Sequence, residues 1–163
     1  MKQSIKLLVL LLLPAAVYAQ DPEVVKKQAT VVADALVHND YATVINHTYP
    51  KALQLGGGKA KMLQMMTTGM QQMTAQGVSF ESATIGTPGK FYKAGTEIHC
   101  LVPEYISMKV GGTTMKVNSN LLAVSSDKGK NWSFLDLNKN TIAMVPKLFP
   151  NFNKDLKLPE PKQ

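Results

Sequence analysis

The hydrophobic period of this chain changes at Gly77, and that change constrains its fold more than any other feature. Before it, apolar residues recur at helical spacing; after it, they alternate. The order reads as α+β, with helices first and an antiparallel sheet built from long hairpins after them.

The first helix opens at Asp21, whose side chain suits a cap. Pro22 fits the first helical position, and Glu23 sits at the positive end of the helix dipole. Val24, Val25, Val31, Val32, Ala35 and Leu36 then fall on one side of the wheel. Asp40 caps a second, short helix with Tyr41, Val44, Ile45 and Thr48 on one stripe, and Pro50 ends it near Tyr49. Gly56, Gly57 and Gly58 read as a flexible joint. They do not make a phosphate loop, because Lys59 is followed by Ala60 and no strand precedes them.

The third helix holds five of the chain's nine methionines between Lys61 and Met73. Met62, Met66, Met70 and Met73 share one face with Leu63, and Met65 lies at its edge. Amphipathic spacing explains this face without a metal. Methionine is flexible and polarizable, so the face is expected to be a soft wall that repacks around apolar guests. The competing reading is a copper(I) site of converging thioethers, which often includes His or Cys. No His lies within this helix.

In "TEIHCLVPEYISMKV", Ile98, Cys100, Val102, Ile106, Met108 and Val110 share one parity, and Glu97, His99, Tyr105, Ser107 and Lys109 the other. Pro103 suggests a bulge or bend midway. Gly111-Gly112 turns the chain into a return strand, and "DKGKN" turns it again. The last strand puts Trp132, Phe134 and Asp136 on one face, with Trp132 and Phe134 expected as a core pair opposite the methionine helix. "TIAMVPKLFP" reads as a short helix or wrap, and residues 151–163 as a polar, Pro-rich tail that frays.

The N-terminus has the charged, apolar, small-residue order of a signal peptide, with cleavage expected after Ala19. Removing those 19 of 163 residues leaves 144, enough for one domain with its own core, spanning residues 20–150 before the tail. The expected location is secreted, periplasmic or extracellular, with no integral membrane segment after cleavage. Loss of Lys2 and Lys6 takes the net charge from +7 to +5. Every basic residue is a dispersed Lys, which argues against nucleic acid as a partner and for a solvated basic surface. Cys100 is the single cysteine and sits in an apolar run, so an inert buried thiol and no disulfide are expected.

The three helices, the segments "ALVHNDYATVINHTYP" and "GGGKAKMLQMM", and the W-x-F-x-D of "NWSFLDL" together resemble the NTF2-like superfamily, the cystatin-like α+β roll. The chain resembles in particular small secreted members found in Bacteroidetes-type bacteria. The resemblance implies three N-terminal helices packed in the concave face of a strongly curved sheet, a cone whose mouth holds a ligand or a catalytic site. It also implies a homodimer through the outer sheet face, where Tyr105, Leu122 and Val124 are candidates. Because the superfamily includes isomerases, cyclases, dehydratases and non-catalytic modules, it does not select a function.

The expected role is non-catalytic binding of a small apolar ligand or a protein partner, with no cofactor. The pocket candidates are Met62, Met66, Met70, Met73, Trp132, Phe134 and Tyr41. The alternative is an isomerase-, cyclase- or dehydratase-type enzyme with Asp136 or His99 as general base, and with Glu97 paired to His99. No full catalytic set is present. Asp40, His38 and His47 lie at helix ends, where capping and dipole pairing account for them.

Overall fold

A computed structural model describes residues 20–160. The segment read as a signal peptide and the last three residues lie outside the described region. The fold is α+β with a curled, antiparallel half-barrel sheet. Four helices come first: α1 (Pro22–Val37), α2 (Tyr41–Asn46), α3 (Pro50–Leu55) and α4 (Lys59–Ala75). The strands are β1 (Val78–Ile85), β2 (Tyr92–Ala94), β3 (Glu97–Val110), β4 (Thr113–Ser125) and β5 (Ser133–Asp136), followed by α5 (Lys139–Leu148).

The helix starts follow their caps. Asp21 Oδ1 accepts from the Glu23 amide at 2.9 Å with Pro22 at the first position of α1. Asp40 accepts from the Thr43 amide and hydroxyl at 3.1 and 2.6 Å, which opens α2 and lowers the Asp40 pKa. Pro50 does not simply end α2. Its fixed φ and missing N–H suit a helix start, and it opens the additional helix α3. The helical region therefore holds four segments rather than three. Gly58, at φ 95° and ψ 167°, occupies backbone space that L side chains avoid, and it redirects the chain from α3 into α4.

The sheet order is β1-β3-β4-β5, and β2 pairs with the first residues of β3 on the edge that β1 uses farther along. The β3–β4 ladder runs without a register shift from Ile98↔Ser125 to Val110↔Thr113. It continues straight through Pro103, opposite Asn120, so the bulge expected there is absent. The irregularity instead lies in β1, between Phe80 and Ser82. Residues 47–49 add a short edge to β5: the Phe134 amide donates to His47 O and the Tyr49 amide to Phe134 O.

Two apolar clusters hold the sheet, one on each face. Inside, Val25, Ala29 and Val32 of α1 pack on Cys100, Val102, Leu121, Ala123, Trp132 and Phe134. Outside, Leu122, Val124, Leu135 and Leu137 are covered by Val145, Leu148, Phe149 and Leu156. At about 1.5–3 kcal/mol per fully buried aliphatic or aromatic side chain, both layers are needed for a marginally stable domain. The outer layer changes two expectations. Residues 149–158 pack on the sheet instead of fraying, with Phe149 and Leu156 buried and Phe152 half-buried against them. Leu122 and Val124, expected on an open dimer face, are covered by the chain's own C-terminal segment, while Tyr105 remains exposed.

Trp132 is buried in the inner cluster, with its Nε1–H donating to Gly129 O at 3.0 Å and its ring 5.7 Å from that of Phe91. Its partners are Phe91 and α1, not the methionine helix. Trp132→Ala is expected to cost about 3–5 kcal/mol. That corresponds to a fall in melting temperature of roughly 10 °C for a domain of this size. A thermal melt checks this against Met66→Leu, which conserves volume and should melt close to wild type.

Candidate functional site

A cavity of about 670 Å³ lies between α4, α2, the end of α1 and the inner face of the sheet. Its volume is in the range of small-molecule sites. The inner face exists because even-numbered residues of β3 point inward: Cys100 and Val102 fill the core against α1, and Glu104, Ile106 and Met108 continue the row into the cavity. Opposite them stand Met62, Met65 and Met66 of α4, with Val32 and Leu36 of α1 and Val44 and Ile45 of α2. α4 contains no buried residue. Its methionine face is half-buried at Met62, Met66, Met70 and Met73, and Met65 is 58% exposed. The helix is a wall over the cavity, not a core element.

The cavity's polar groups collect at one place. Glu104 is 4% exposed and faces an otherwise apolar row. Ser119, its cross-strand partner, donates its hydroxyl to Asp136 Oδ1 at 2.7 Å. Asn138 Nδ2 donates to Asp136 Oδ2 at 3.0 Å, so both Asp136 oxygens are engaged. Among the described residues no hydrogen bond reaches the Glu104 carboxyl. Its pKa is pushed up to about 7, first by burial and then by the neighbouring Asp136 charge. His47 also lines the cavity. Its Nδ1 lies 2.9 Å from the Thr43 carbonyl, which can only accept, so Nδ1 carries a hydrogen and donates.

The structure sorts the residues expected from the sequence. Met62, Met66, Phe134 and Asp136 meet in this cavity. Met70 and Met73 lie farther along α4, outside its lining, and Tyr41 donates to Asn39 Oδ1 at 2.6 Å away from it. Trp132 lines a different, more open depression of similar volume with Tyr49, Lys51 and Asp127. Glu97 and His99 lie on the outer face, separated from the cavity by the sheet. They are not a solvated pair: His99 is fully buried, its ring edge-on to Phe149 at 4.9 Å. His99 Nε2 lies 3.1 Å from Glu97 Oε2, and Glu97 Oε1 accepts from the Tyr49 hydroxyl at 3.0 Å. Burial lowers the His99 pKa against the opposing pull of Glu97, and His99 Nδ1 has no partner among the described residues. Cys100 is buried, and burial pushes its thiol up to about 12, which makes it inert.

Glu104 is the residue the sequence reading missed. Its even number places it in the apolar row from Cys100 to Val110, and a carboxyl in such a row was the available signal.

No protein-family model matches the chain, and no curated protein matches it at a significant level. Among the described residues no helix is long and apolar enough to cross a membrane. No group of three or more His, Cys, Asp or Glu side chains among them is placed to hold a metal ion.

The raised Glu104 pKa has a consequence for stability. The folded-state value lies above the unfolded one, near 4.5, so the folded form holds the proton more tightly. Stability is therefore unaffected well below the unfolded pKa and falls as pH rises from there through about 7. Glu104→Gln removes the titration and should melt several degrees above wild type near pH 8, with the gain disappearing toward pH 4.5. Melting temperatures of both proteins across that range check the sign.

Proposed function

We propose that this chain is a secreted or periplasmic NTF2-like module that binds a small apolar ligand in the cavity under α4. The observation that carries the reading is the pairing of a cavity of about 670 Å³ with a 17-residue helix that has no buried residue. A wall without a core of its own gains apolar burial when a guest fills the space beneath it. Methionines at Met62, Met65 and Met66 adapt to the guest's shape at little rotamer cost. The curled half-barrel is compatible with the NTF2-like cone and supports the family reading at the level of fold.

The enzyme reading retains one supporting observation. Glu104, titrating near neutral pH, shares the cavity with Asp136. Two carboxyls with different environments are what acid–base work on an apolar substrate requires. In that reading Asp136 keeps its role as base, Glu104 supplies the acid, and His99 drops out because it lies on the other face.

A thermal-shift screen of aliphatic, sterol-like and aromatic compounds, followed by hydrogen exchange, tests the binding reading. A binding compound should raise the melting temperature and slow amide exchange along α4. Stabilisation with unchanged α4 exchange would place the ligand elsewhere and overturn the assignment. If hits are chemically converted, and Asp136→Asn abolishes conversion while keeping the thermal shift, the enzyme reading replaces the binding one.

A further inference from the structure

We propose that the cavity selects amphiphiles with a cationic amine head over neutral or anionic ones, with the ammonium held between Glu104 and Asp136 and the apolar tail under α4. The inference rests on the binding reading above and names the ligand class.

Charge distribution is the first observation. The protein is basic, yet no lysine lines this cavity. The wall residues from α1, α4, β1 and β4 are uncharged. Glu104 from β3 and Asp136 from β5 carry the acidic groups, and His47, which follows α2, is the remaining titratable side chain. A carboxylate ligand such as a fatty acid would enter against two carboxyls with no cation to receive it.

The second observation is the state of Glu104. It is a carboxyl more than nine-tenths buried, lining the cavity, with no hydrogen-bond partner among the described residues. Its oxygens open onto the cavity space and are not sealed from solvent as His99 Nδ1 is, so a guest's donor would take the place of water there. Asp136 is already supplied by Ser119 and Asn138, so the unmet requirement at this end is a donor for Glu104. An alcohol offers a single donor and no charge. An ammonium offers three donors and a positive charge that both carboxyls attract, and charge-assisted bonds of this kind are roughly twice as strong as neutral ones.

Binding is then linked to pH. Where Glu104 holds a proton, the incoming ammonium displaces it to solvent and keeps its own. Binding therefore weakens as pH falls through the Glu104 titration, and Glu104→Gln removes that linkage.

The test uses decylamine, decanol and decanoate below their micelle concentrations, with protein carrying ¹³C-methyl methionine. Decylamine should shift the methyls of Met62, Met65, Met66 and Met108, which line the cavity, and leave Met144 on α5 unmoved. It should bind about tenfold more tightly near pH 8 than near pH 6, as Glu104 passes through its titration. Decanol should bind more weakly and without that slope, and decanoate weakest of all. Glu104→Gln should weaken decylamine on the order of tenfold near pH 8 and leave decanol nearly unchanged. If decanol or decanoate binds at least as tightly as decylamine through the same methyls, the head-group assignment is wrong and the cavity reading stands. A pH slope that survives in Glu104→Gln overturns the role of Glu104. If none of the three probes moves the cavity methyls, the cavity reading itself fails.

Discussion

The unbroken register between β3 and β4 is the constraint on which the rest of the structure depends. Side chains alternate strictly along a strand, so a slip of one residue would exchange every inward group for an outward one. With Ile98 opposite Ser125 and Val110 opposite Thr113, Cys100 and Val102 meet α1, while Leu122 and Val124 meet α5. The same register fixes Glu104 inward beside Ser119. A carboxyl in the core-facing row costs stability, and the ladder tolerates it because the apolar residues on either side hold the strand in place.

The two ends of this hairpin are covered differently. Near Cys100 and Ala123 the sheet is packed on both faces, by α1 inside and by α5 with the following segment outside. Toward Met108 and Met115 neither layer continues, and Met115 and Val117 are exposed. α4 spans this thinner half without burying a residue of its own. Stability is thus concentrated at one end of the molecule and the cavity at the other. This is the arrangement expected when a binding region is drawn from the less stable part of a fold.

Much of the architecture was legible because it rests on periodicity and caps. Asp21, Asp40 and the Gly111-Gly112 turn act as the sequence suggests, and the methionine face of α4 points to the cavity at Met62 and Met66. The failures have physical causes. Pro50 reads equally as a stop or a start, and tertiary contacts made it the start of α3. Pro103 sits in a strand whose unbroken pairing with β4 absorbs it, so it needed no bulge. Leu122 and Val124 were assigned to a free surface because nothing local shows that residues 149–158 return to cover them. Glu104 shares the even parity of Cys100 to Val110, a row the sequence reading gave without it. Only the alternation, followed strictly, places it in the cavity. The burial of His99 likewise depends on Phe149, fifty residues away in the chain.

The central claim is that the half-barrel bounds a half-open apolar cavity with a desolvated carboxyl at its polar end. The carboxyl ¹³C chemical shift of Glu104, followed by NMR as a function of pH in protein labelled at glutamate side chains, tests it most directly. Assignment uses Glu104→Gln. The account requires the Glu104 resonance to titrate near 7, well above an ordinary glutamate, because burial and Asp136 both oppose its charge. A Glu104 that titrates near 4.5, like a solvated side chain, would show that water reaches this carboxyl and that the polar end of the cavity is not desolvated.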